Sequence, residues 1–92
     1  MSIKRVIKIV PKPAEHHRLI QEFERLIPIF RQESGCQEYE LFQSLTDANI
    51  LLVLDCWDDL DSYEGHLKLE REMGLDFTEF LSRPMHVDRY ES

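Results

Sequence analysis

The run Ile50-Leu51-Leu52-Val53-Leu54 constrains this chain more than any other segment. Five consecutive apolar residues leave no wet side on an extended strand, because successive side chains point to opposite faces. Such a strand belongs in the centre of a sheet or against an interface. It leads into Asp55-Cys56-Trp57, which holds the only tryptophan, and then into Asp58-Asp59-Leu60-Asp61. That acidic cluster suits a helix start, where a carboxylate caps free N–H groups and meets the positive end of the dipole. Tyr63 and His66 follow three apart and share a helix face. A strand end and the first turns of a helix thus bring an acid, an indole, a phenol and an imidazole toward one place. We expect them to converge on a hollow between helix and sheet that holds a small aromatic or polar ligand.

The remaining elements follow from periodicity. Residues 3–10, IKRVIKIV, read as a strand with one solvated face, stopped by Pro11-Lys12-Pro13. From Ala14 to about Gln32, residues Leu19, Ile20, Phe23, Leu26, Ile27 and Phe30 form one helical stripe. Pro28 lies inside it and predicts a kink or an early end. Gly35 closes the element. Residues 36–44 read as a second strand, with Tyr39 and Leu41 on one side and Cys36 and Phe42 on the other. Residues 50–57 form the third strand, and Leu60 to about Glu72 a second helix. Phe77, Phe80 and Leu81 predict a further short helix, and residues 85–91 a closing strand. This βαββαβ order fits an α+β sandwich in one domain, 1–92, with helices over one face of a mostly antiparallel sheet. A second copy of the chain is expected to cover the other face.

Composition narrows the partners. Apolar residues make up 42% and charged residues 32%, the balance of a folded chain. A net charge of −7 is wrong for phosphate backbones and for anionic membrane surfaces, so neither nucleic acid nor membrane is expected. No apolar run approaches the roughly 18 residues of a membrane span. The N-terminus lacks the pattern of a secretion signal, and we read the chain as cytoplasmic. Cys36 and Cys56 fit small buried hydrophobes, and without a Cys-x-x-Cys pair neither a redox dithiol nor a structural zinc site is expected.

Among the candidates, Asp55 shares a strand face with Trp57, Val53 and Leu51. It is either a general base tuned by apolar walls or the partner of a Lys or Arg on a neighbouring strand. His66 suits proton transfer near neutral pH, and Tyr63 could share a ligand oxygen with it. Trp57 is either core or a stacking wall for a planar ligand.

Several segments carry a family likeness. They are Ile3–Val10 with Pro13 after it, Glu33-Ser34-Gly35-Cys36-Gln37-Glu38-Tyr39-Glu40-Leu41, Asp55-Cys56-Trp57, His66-Leu67, Phe77-x-x-Phe80 and Val87-Asp88-Arg89-Tyr90-Glu91. With these the chain resembles the antibiotic biosynthesis monooxygenase domain family, of the dimeric α/β-barrel type. The resemblance implies a ferredoxin-like protomer and a homodimer. It also implies oxidation of phenols or quinols by molecular oxygen, with no metal, flavin or other cofactor. In the oxygenase branch a strand-end Trp and a Tyr six residues later line the pocket, here Trp57 and Tyr63, and an Arg after the second helix is matched by Arg83. Two departures stand out: Val53 replaces a usual Asn, and extra residues lie around 68–76. Haem-degrading relatives carry an iron-binding His in the second helix region; here His66 stands where that branch tends to have a Trp, and no His follows in residues 67–85, so haem degradation is not expected. The resemblance thus points to an oxygenase with Asp55 or His66 as base and Trp57, Tyr63 and Arg83 around the substrate. An isomerase acting on a small carbonyl compound, or a non-catalytic ligand-binding dimer, are the alternatives.

Overall fold

The computed structural model describes residues 1–92. Its strands are β1 (Ile3–Ile9), β2 (Cys36–Gln43), β3 (Leu51–Trp57) and β4 (His86–Glu91). Its helices are α1 (His16–Arg31) and α2 (Leu60–Glu72). The sheet runs β2-β3-β1-β4, every neighbouring pair antiparallel, so the apolar β3 is central as its composition requires. This is the ferredoxin-like α+β arrangement. No helix is long and apolar enough to cross a membrane.

Alternation decides the two faces. Ile3, Ile7 and Ile9 of β1 and Leu51, Val53 and Trp57 of β3 point toward the helices and are buried. They meet Leu19, Phe23, Leu26 and Phe30, the buried stripe of α1. The opposite face carries Val6, Leu52, Leu54 and Phe42, and Phe42 remains 45% exposed.

Three local expectations are revised. α1 runs without interruption through Pro28 to Arg31. Pro28 and Glu24, whose carbonyl loses its intrahelical partner, both lie on the exposed side, where water can replace the missing bond. Phe77–Leu81 forms only a single 3-10 turn, Thr78–Phe80. The chain there is stitched to the end of β1 by Lys12 N–H to Phe80 O (2.8 Å) and Ser82 N–H to Val10 O (2.9 Å), which leaves no length for a helix. Cys36 pairs with Trp57 and packs against the core, rather than sharing a side with Phe42. A bulge at Gln37 inserts one residue and turns Cys36 to the helix side.

Gly35 supplies the tight join between α1 and β2. Its φ is +79°, and a Cβ there would overlap the Ser62 hydroxyl on α2. Gly74 has a similar φ of +68° but open space around it. We expect Gly74→Ala to cost about 1 kcal/mol and Gly35→Ala clearly more, since strain and overlap add there. Urea denaturation of the two variants checks this, and equal losses would contradict the close approach.

Candidate functional site

The β3–α2 junction is pinned to the start of β2. Asp59 caps α2 by accepting from Ser62 N–H at 2.8 Å. Asp58 N–H donates to Gly35 O at 2.8 Å, and the bulged Gln37 donates from Nε2 to Asp58 Oδ1 at 2.7 Å. Both α2 and the strand end are therefore held in place from outside the core.

On the helix-facing side, register places Tyr39, Asp55, Arg5 and Arg89 in one row across β2, β3, β1 and β4. Asp55 has no exposed surface and is bound by Arg5 through two hydrogen bonds, Nε to Oδ1 at 3.1 Å and Nη2 to Oδ2 at 2.5 Å. Of the two readings of Asp55, the carboxylate paired across strands describes its contacts. Burial works against the Arg5 charge, but the bonds to Asp55 outweigh it and keep the guanidinium above its ordinary pKa. Arg5 and Arg89 each stand over the Tyr63 ring at 5.1 Å, so the phenol of α2 roofs this charged row. Burial, reinforced by Asp55, pushes the Tyr39 phenol far above its usual range and keeps it neutral.

One turn beyond Tyr63, His66 is the only buried residue of α2. Trp57 stacks on it at 4.6 Å, Phe30 meets it edge-on at 4.7 Å, and Tyr39 tilts against it at 5.6 Å. His66 Nδ1 lies 2.6 Å from Glu33 Oε2. Nε2 lies 3.2 Å from Glu70 Oε1, within ion-pair reach but not aligned as a hydrogen bond. Burial tends to lower the imidazole pKa, but Glu70 and then Glu33 outweigh it and the net direction is upward. The indole Nε1 of Trp57 is buried with no partner.

Asp55, Trp57 and His66 are thus neighbours, as the sequence suggests, but each has 0% exposure. Trp57 packs on His66 and Asp55 is held by Arg5, and none of the three borders a shared hollow. The space lies next to them. A partly enclosed cavity of about 120 Å³ has apolar walls that include Val53, Phe23 and Phe77, and a polar end made by Arg5, Tyr39 and Glu70. Phe23 and Phe77 stack at 5.0 Å along one side. Trp57, His66 and Tyr63 stand behind this lining and do not border it. Arg83 is exposed in a separate surface hollow with Thr78, Ser82 and Pro84, away from the other candidates. Val53, at the position of the usual Asn, faces the cavity.

Arg5, Tyr39, Glu70 and Glu33 are functional candidates that the sequence reading passed over. Two of them left a signal. Arg5 alternates in phase with Ile3, Ile7 and Ile9, which marks it as inward-facing. Glu70 follows His66 by four residues, one helical turn.

The raised imidazole pKa carries a sign. Protonation favours the folded state, so the His66 contribution is complete below about pH 6.5 and is lost as pH rises through the higher folded value. We expect the stability difference between the native chain and His66→Gln to shrink as pH rises above about 6.5 in urea titrations. Parallel curves would show that the two carboxylates do not hold a charged ring.

With this geometry in hand, known proteins are informative. The antibiotic biosynthesis monooxygenase family model matches residues 2–71. The Bacillus subtilis (strain 168) protein named "Putative monooxygenase YcnE" is 28% identical over 82 residues, covering 87% of this chain and 86% of that protein. A conserved protein from Methanosarcina mazei Go1 has a similar structure, with a TM-score of 0.89, 26% identity, and coverage of 98% of this chain and 91% of that one. A Nitrosomonas europaea structure titled "Putative antibiotic biosynthesis monooxygenase" shares the fold at a TM-score of 0.84 and 10% identity, covering 99% of this chain and 89% of its own. With its ferredoxin-like fold and the match over residues 2–71, this chain belongs to the antibiotic biosynthesis monooxygenase family.

Proposed function

We propose that the cavity takes a small hydroxylated aromatic molecule and that the protein oxygenates it with molecular oxygen, without a metal or organic cofactor. The observation that carries this reading is the cavity itself: apolar walls ending in a cation, a neutral phenol and a carboxylate. Its volume of about 120 Å³ is a little below the roughly 150 Å³ of an apolar cavity that takes benzene, so one ring is the upper limit.

The chemistry asks little of the protein. Loss of the hydroxyl proton leaves an electron-rich anion that passes an electron to oxygen. Recombination places one oxygen atom on the ring carbon opposite the hydroxyl, and the other leaves as water. A phenol and O₂ become a quinone and water, with all four electrons supplied by the substrate. Glu70 meets the ligand hydroxyl, backed by His66 as the second base. Asp55, its oxygens engaged by Arg5, serves the reaction by holding that cation where negative charge develops. Trp57 and Tyr63 fix His66 and Arg5 in place. Arg83 lies outside this scheme.

The test is ¹⁸O₂ incorporation and oxygen uptake by metal-free protein with single-ring phenols and quinols. We expect turnover that falls at least about tenfold in Glu70→Gln and is unchanged in Arg83→Ala. Absence of turnover across the series would end the oxygenase reading. Exchange of a substrate C–H for deuterium without oxygen uptake would mark an isomerase instead.

We also propose a homodimer formed through the sheet face opposite the helices. Val6, Leu52, Leu54 and Phe42 form an apolar strip there, bordered by Lys4 and Lys8 on β1, by Glu38 and Glu40 on β2 and by Asp88 on β4. Opposed copies can pair these charges around a dry centre. Sedimentation should give a dimer for the native chain and a monomer for Leu54→Glu. A native monomer at micromolar concentration would exclude it.

A further inference from the structure

His66 is sealed from solvent, yet it touches two carboxylates that face different spaces. On one side Glu70 forms part of the wall of the internal cavity. On the other, Glu33 opens into a surface hollow shared with Ser34, Asp61, Ser62 and Gly65. Gly65, beside His66 on α2, adds no side chain to obstruct that hollow, and a Cβ there would meet nothing. The rings packed on His66 are Trp57, Phe30 and Tyr39, the first two without charge and the third a phenol kept neutral.

The geometry points to Glu33–His66–Glu70 as a proton path from the surface hollow to the cavity, with Glu33 as its solvent-side member. This extends the oxygenase reading and rests on it for its use in turnover. Once the ring has lost its extra proton and is neutral with Nδ1–H, the ligand hydroxyl proton passes to Glu70 and on to Nε2, while the Nδ1 proton passes through Glu33 to water. One N–H bond forms as another breaks, no electrons move, and the ring is left as its other tautomer. Return passage delivers a proton to the oxygen atom that leaves as water and restores the first tautomer. Glu33 touches no substrate; it is a positioning and relay residue.

The test needs no ligand in its first arm. Exchange of the His66 ring N–H with water is measured by NMR on the full ¹⁵N-labelled chain. Glu33→Gln keeps an acceptor for Nδ1 but cannot carry the proton, so exchange should slow about tenfold or more. A merely structural Glu33 predicts unchanged or faster exchange through local opening, and that result overturns the path. Glu70→Gln should leave exchange within about twofold, and slowing there would mean that protons leave through the cavity, which also overturns it. This second variant decides the matter even where Glu33→Gln fails to fold. In the second arm, with phenol as the probe and oxygen uptake as readout, Glu33→Gln should lower kcat about fivefold with KM unchanged. Slowed exchange with a native chain that takes up no oxygen supports the path and removes only the oxygenase reading.

Discussion

The Arg5–Asp55 pair sets the terms for everything on the helix side of the sheet. Two opposite charges sit side by side on the central strands, with almost no exposure. Removing each from water costs several kcal/mol, and only the paired geometry of guanidinium and carboxylate offsets this. The surrounding groups follow from that requirement. Tyr63 offers its ring face to the cation from α2, and Tyr39 stands beside Asp55 on β2 as a neutral phenol. The cavity ends at Arg5 because a charge held this way cannot be covered by aliphatic side chains alone.

α2 docks in an unusual manner for an amphipathic helix. Its single buried residue is a histidine, not a leucine or phenylalanine. Aromatic rings enclose that imidazole, and carboxylates meet it at both nitrogens. Helix position and proton chemistry therefore depend on the same contacts. The polar end of the cavity is also held by the turn structure at Gly35, Gln37 and Asp58, which fixes where α2 begins.

Much of this was legible in order along the chain. The apolar residues of α1 recur at helical spacing, and the structure buries that stripe. The two-sided apolar run at 51–54 is central in the sheet, and Asp59 caps the following helix. Local pattern was misleading where long-range pairing intervened. A bulge reversed Cys36, and bonds to the end of β1 reduced the Phe77–Leu81 helix to one turn. Pro28 was tolerated because burial left its side of α1 wet, which periodicity alone does not price.

The sequence by itself determined the element order, the central strand, the inward stripe of α1 and the gathering of Asp55, Trp57, Tyr63 and His66 at one junction. These rest on local rules: period, capping and the extended or helical preference of neighbours along the chain. Only the tertiary structure decided that this junction is solid and that the open space lies one layer away, between Arg5, Tyr39 and Glu70. Whether side chains surround a void or fill it depends on how three separate elements close on each other to a fraction of a side chain's width, and no spacing along one strand or helix encodes that distance.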